Sequence, residues 1–331
     1  MRVIRRLMAL ALVAGALAPG TWLRSPPPKV ILDAGVTATR LPVGQQTLGH
    51  LEVLSAWQLS SRHSLFDSYS GLVALGDGQM LAASDRGMAL RFTLNDNTPG
   101  GFAISTFGPR DAAIDKYAVD IEALTRDPAT GRIWAAYEGR NLIERREADL
   151  TGAKRLAPAA MKRWPGNSGP EAMVRMADGR FIVLGEGTSK WFADAFPALL
   201  WDEDPVAGDA PVEFAFRPPA GFRPTDIAAL PDGRVLILAR RIAYNLPPHF
   251  EVVLLVADPE GIAPGKLWSG IEIARFSPPF PTDNYEGLAV DPGAGYPATI
   301  TVISDDNGVA YQRTLLLRLQ WDGTMPAGSE P

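Results

Sequence analysis

The sequence predicts an all-β fold, a single β-propeller, and three observations predict it. Beyond the N-terminal leader no stretch carries a long 3.6-residue apolar period, so a helical or crossover architecture has nothing to be built from. Short β-rich runs recur beside Asp-Gly and Asp-Pro turns, which is the grammar of hairpins. Five of these hairpins repeat at a spacing near 50 residues, the size of a four-stranded propeller blade.

The leader comes first. Arg2, Arg5 and Arg6 precede the apolar run LMALALVAGALA, which ends before Pro19 and Gly20, the order of a secretory signal over residues 1–18. The 12-residue run is shorter than the ~20 residues that span a bilayer, although extension through Leu23 leaves an uncleaved anchor as the alternative. Export to the periplasm or exterior is therefore expected. Residues 19–44 then read as the leader's remainder and a linker or first strand, with SPPP at 25–28 as a stiff spacer.

The body, residues 45–320, carries the hairpins SGLVALGDGQMLAASDRG from Ser70, IEALTRDPATGRIWAAYEGR from Ile121, PEAMVRMADGRFIVLGEG from Pro170, TDIAALPDGRVLILARR from Thr225 and YEGLAVDPGAGYPATITVISDDNG from Tyr285. Aligning Gly71, Glu122, Glu171, Asp226 and Glu286 gives spacings of 51, 49, 55 and 60 residues. Dividing the roughly 300 residues after the leader by that period gives between five and six units, and six blades are expected. The sixth would join a strand near 51–59 to one near 314–320, so that the two chain ends close the ring and remove its open edge. Residues 321–331 are left as a tail. A β-sandwich is the competing architecture. Long connections at 95–119, 188–223 and 242–249 are expected to shape a binding face rather than the core.

Composition narrows the function. Residues 1–28 hold four Arg and no acid, so the remainder sets 28 bases against 37 acids, a charge of -9. That balance excludes a nucleic-acid backbone as main partner and leaves cations and small anions. With no cysteine, disulfides, thiolate nucleophiles and Cys-ligated metals are excluded. Sequence motifs for nucleotide or dinucleotide binding and the GxSxG elbow are absent, and His50, His63 and His249 have no zinc-ligand spacing.

A hairpin returns its second strand to the end where the first began. Glu122 is thereby brought beside Glu138, Glu171 beside Glu186, Glu286 beside Asp305 and Gly71 beside Asp85, while Asp226 faces a return ending in Arg240 and Arg241. One channel mouth ringed with acids suits a hard cation such as calcium, with Glu122, Glu171, Asp226, Glu286 and Asp305 as metal ligands. Arg240 and Arg241 would grip phosphate or carboxylate oxygens, and Glu138 or Glu186 would activate water. Arg86, Arg140 and Lys190 are expected nearby. In the competing arrangement the acids pair with the arginines and cap strand ends. Trp134, Trp191 and Trp201 are candidates to line a sugar-like ligand or, equally, to pack between blades.

The ordered series SGL at 70–72 with SDRG at 84–87, DIEAL at 120–124 with YEG at 137–139, and GPEAM at 169–173 with GEG at 185–187 resembles the exported bacterial phytase-like proteins, the esterase-like activity of phytase family. PTDIAALPDGR at 224–234, NYEGLAV at 284–290 and ISDDN at 303–307 complete a resemblance that spans residues 45–320. It implies a secreted propeller, hydrolysis of phosphoesters or carboxyl esters, and calcium at an acidic mouth. The chain departs from a phytate-binding pattern in lacking a Lys-rich face.

The expectation is an exported monomer that hydrolyses a small anionic or ester substrate with metal. A propeller lactonase and a non-catalytic periplasmic scaffold are the alternatives.

Overall fold

Asp77 and Gly78 take positive φ of 50° and 71°, as a type I′ turn requires, and so fold Tyr69–Gly76 back onto Gln79–Ser84. Repeating such hairpins builds the whole body. The structure is a computed structural model that describes residues 2–22, 29–44, 46–108, 119–166, 168–187, 190, 192, 194–208, 210–293 and 295–328.

Blade 1 continues from that hairpin with Met88–Asn95 and Thr98–Thr106. Blade 2 is Ile121–Arg126, Ile133–Tyr137, Leu142–Arg146 and Lys154–Leu156. Blade 3 is Pro170–Arg175, Phe181–Gly185, Phe196–Trp201 and Val212–Phe216, widened by the parallel strand Leu267–Trp268. Blade 4 is Arg223–Ala229, Val235–Ala243, His249–Ala257 and Ile271–Phe276. Blade 5 is Asn284–Val290, Ala298–Asp305, Thr314–Trp321 and, from the other end of the chain, Leu51–Ser61. The first strand of every blade lies innermost, and these five strands neighbour one another in a closed ring.

The propeller therefore has five blades, not the six expected from the sequence. The two terminal strands do close the ring, with Leu59 opposite Thr314 and Leu51 opposite Trp321, but they are the outer half of the blade that begins at Asn284. They are not an additional unit. The surplus length instead goes into connections and into edge strands such as Val36–Arg40, which pairs with Leu51–Ser61.

Among the described residues the core divides into five buried clusters, one at each boundary between blades. Strand alternation explains how one strand serves two of them. Leu236 and Leu238 face blade 5, whereas Val235, Ile237 and Ala239 face blade 3. Each fully buried Leu, Ile or Val stabilises by about 1.5–3 kcal/mol, so a chain without disulfides is held by repetition of this interface. Trp134 and Trp201 belong to the cluster between blades 2 and 3 and are buried, which gives them the packing role. Trp191 lies outside the described residues.

The leader forms one helix, Arg2–Trp22. Among the described residues no helix is long and apolar enough to cross a membrane.

Candidate functional site

Each innermost strand loses register once near its start. The breaks fall between Tyr69 and Gly71, Ile121 and Ala123, Pro170 and Ala172, Pro224 and Asp226, and Tyr285 and Gly287. A bulge leaves its extra residue outside the ladder and re-aims its side chain. Those extra residues are Ser70, Glu122, Glu171, Thr225 and Glu286. The returning strands reach the mouth beside them at Asp85, Glu138, Glu186, Arg240 and Asp305, and the one in blade 4 runs on past it to Ala243. Five-fold repetition thus builds a polar mouth whose charge differs from blade to blade.

Blades 2 and 3 supply the densest group of acids. Carboxylate oxygens of Asp120, Glu122 and Glu138 lie within 4.8 Å of one another, and so do those of Glu138, Glu171 and Glu186. Glu138 belongs to both sets. Burial raises Glu122 well above the usual carboxylate range, and the charges of Glu286, Glu138, Asp120 and Asp85 push the same way. Glu171 is raised well above it by burial and then by Glu122, Glu186, Glu138 and Glu286. Burial pushes Glu138 up to about 7, against hydrogen bonds from the Glu171 side chain and the Gly169 N–H. No Lys or Arg among the described residues pairs with Glu122, Glu138 or Glu171. A cluster of hard oxygen donors with this charge excess could hold a metal ion.

Gly169 is needed where it stands. A Cβ there would lie 2.6 Å from Asn141 Oδ1 and 2.9 Å from the Glu138 carbonyl oxygen, so only glycine lets the two blades approach. The same segment accepts around Glu186, whose N–H bonds the Gly169 carbonyl at 3.1 Å, as the Gly187 N–H bonds that of Ser168.

The opposite side of the mouth is basic and amide-bearing. Arg240 Nη2 donates to Glu286 Oε1 at 2.8 Å, and Asn284 Nδ2 donates to the same oxygen at 2.8 Å. Burial works against the Arg240 charge, but Glu286, Glu186 and Glu171 outweigh it and raise its pKa. Arg240 Nε and Asn284 Oδ1 are buried without a partner among the described residues. Asp305 accepts the Asn307 N–H at 2.6 Å, yet burial and then Glu286 push it up to about 9. Arg223 Nη1 lies 3.0 Å from Glu186 Oε1.

Two predicted residues are placed elsewhere. Asp226 is one position beyond the bulge, equivalent to Gly71, Ala123, Ala172 and Gly287, and is fully buried below the mouth. It accepts the Ile227 N–H at 2.8 Å and the Leu288 N–H at 2.7 Å, tying the inner strands of blades 4 and 5. Arg241 points to the other face of its strand, 2.7 Å from Glu251 and stacked over Phe222. Strand alternation requires this, since adjacent residues cannot share a face. Of the bases expected nearby, Arg86 pairs with Asp67 at 2.9 Å and Lys190 with Glu213.

The structure also adds residues that the sequence reading left out. Asp120, Arg223 and Asn284 each precede a bulged residue by two and join the mouth. The Asp of DIEAL and the Asn of NYEGLAV carry that signal in plain sight. At the opposite end of the channel a cavity of about 450 Å³ is lined by apolar residues such as Leu124, Val174 and Leu288, with Arg126 and Arg175 among its polar members. It holds none of the mouth acids.

A family model described as phytase-like, esterase-like activity of phytase, matches residues 64–308. No curated protein matches the chain in sequence. Among solved structures, a glutaminyl cyclase from Myxococcus xanthus is similar at 14% identity and a TM-score of 0.46, over 82% of this chain and 96% of that one. The PQQ-bound aldose sugar dehydrogenase from Streptomyces coelicolor is similar at 11% identity and a TM-score of 0.45, over 89% of this chain and 99% of that one. Likeness of this degree concerns shape and transfers no chemistry.

Proposed function

This chain belongs to the phytase-like family, esterase-like activity of phytase, and from that premise we propose that it is an exported, metal-dependent hydrolase of a small phosphoester or carboxyl ester. One observation carries the reading: the carboxylates of Glu122, Glu138 and Glu171, without basic partners among the described residues, gather at one mouth that also holds Arg240. Acids that could hold a metal, beside a guanidinium, would suit an anionic substrate.

Glu138, which belongs to both carboxylate sets, would hold a divalent cation with Asp120 and Glu122 from the first and Glu171 from the second, calcium by the hardness of the oxygen donors. When bound, that ion supplies Lewis-acid polarisation of a phosphoryl or carbonyl oxygen. Arg240 spends one N–H on Glu286 and keeps others for the substrate's oxygens, with Glu286 and Phe250 fixing the guanidinium plane. Glu186, paired with Arg223, would take a proton from the attacking water. Asn284 holds Glu286 from behind, its Nδ2 donating to Glu286 and, at 3.4 Å, to Asp305.

Export rests on the basic start and apolar helix of the leader. The Arg240–Glu286 and Arg223–Glu186 pairs favour a second reading, a ligand-binding scaffold without catalysis. The test is an assay of the metal-stripped mature protein on aryl phosphates, aryl carboxylates and lactones, with and without added calcium. Turnover that needs calcium and is lost in Glu122→Gln supports the hydrolase. Calcium-independent silence on all three classes overturns it and favours the scaffold.

A further inference from the structure

The hairpin that carries Arg240 does not stop at the mouth. The inner strand of blade 4 begins at Arg223, opposite Arg240, and the next strand of the blade ends at Phe276, opposite Val252. Residues 241–251 therefore run beyond both neighbours as a two-stranded arm, in register up to the pair Ala243 and His249.

The arm has two unlike faces. On one, Arg241 pairs with Glu251 at 2.7 Å and stacks over Phe222, which Arg275 also covers with its Cζ 4.8 Å from the ring centroid. That face is packed. The other bears Arg240 and, two residues on, Ile242, which stands opposite Phe250 in the ladder. Arg240 Cζ lies 5.6 Å from the Phe250 ring centroid, so an apolar wall rises directly from the guanidinium. Ile242 is 44% exposed, and the tip adds Tyr244 at 87% and Leu246 at 98%. A rigid arm that presents uncovered apolar side chains next to the mouth's cation is shaped for a ligand that is anionic at one end and apolar at the other.

We propose that this arm is a specificity element: the anion gripped by Arg240 carries an aryl or bulky alkyl group that lies against Ile242, Phe250 and Tyr244. The inference rests on the anion-binding role given to Arg240 above and deepens it, from a small ester in general to an ester with an apolar substituent.

Phosphonates separate binding from turnover, because their P–C bond is not hydrolysed. Phenylphosphonate and methylphosphonate present the same oxygens and differ only in apolar surface. Calorimetric titration of both into the calcium-loaded protein is the experiment, repeated with the Ile242→Ser/Tyr244→Ser double variant and with Arg240→Met. Burying one ring against the arm is expected to make phenylphosphonate bind about tenfold tighter than methylphosphonate. The double variant should reduce that preference to about twofold, and Arg240→Met should weaken both ligands. Equal binding of the two phosphonates overturns the proposal while leaving the anion site standing. A preference that survives in the double variant overturns it too, since the apolar contact then lies elsewhere. Binding of neither ligand overturns the anion site and this proposal together.

Discussion

Arg240 and Glu286 join blades 4 and 5 through a 2.8 Å hydrogen bond at a mouth otherwise dominated by carboxylates. The pair is substantially buried, so removing one partner strands the other charge away from water.

Arg240→Met is accordingly expected to cost about 3–5 kcal/mol of stability, and Glu286→Gln in the same chain to restore most of it. Activity should not follow. On an anionic ester the single and the double variant are both expected to lose about 100-fold in kcat/KM, because the oxygen-gripping donors are gone in each. Urea unfolding beside steady-state kinetics checks the split. Activity that returns with stability would make the arginine structural.

The carboxylate sets centred on Glu138 predict a titration result. Metal-stripped protein should bind calcium saturably, and Glu122→Gln and Glu171→Gln should each weaken binding about tenfold or more, by removing a charged donor from a site that needs several. Glu286→Gln should weaken it less, since Glu286 is already bonded to Arg240 and Asn284. Calorimetry reads all three. Indifference to Glu122→Gln would remove the proposed site.

Stability should depend on pH in an unusual direction. Glu138 and Asp305 bind protons more tightly in the folded protein than in the unfolded chain, at about 7 and about 9. Their help to folding is full below the ordinary carboxylate value near 4 and is lost as pH rises through the folded values. Metal-stripped protein should therefore lose about 5 °C or more in Tm between pH 6 and pH 9. Saturating calcium should flatten that slope by replacing the lost protons. A metal-stripped Tm that rises over this range would contradict the assignment, and differential scanning calorimetry is the measurement.

Much of this was legible in the chain. Turn chemistry such as Asp77-Gly78 and a hairpin recurring about every 50 residues point to a propeller, and the return of Glu138 beside Glu122 follows from hairpin geometry alone. The blade count was not legible, because the strands at 51–61 and 314–321 look like a surplus unit until their pairing within one sheet is seen. Nor was the register inside the repeat. Matching Gly71 and Asp226 to the glutamates shifts blades 1 and 4 by one residue, and only the bulges at Ser70 and Thr225 reveal the true equivalents. In a strand one residue is the difference between the two faces. Hence Asp226 and Arg241 left the mouth, while Arg240 stayed.

Asp226 gives that displacement a test of its own. Its two carboxylate oxygens each accept one backbone N–H, from Ile227 and from Leu288, in a site without exposed surface. Asparagine offers one acceptor oxygen where two are used, and its amide would face an N–H. Asp226→Asn is thus expected to cost about 1–3 kcal/mol in urea unfolding, the penalty for a buried donor left unpaired. Calcium affinity, measured on the folded variant, should stay within about twofold of the parent, because the side chain lies one residue outside the ring of bulges. A large loss of calcium affinity without loss of stability would return Asp226 to the mouth and refute the register read from the bulges.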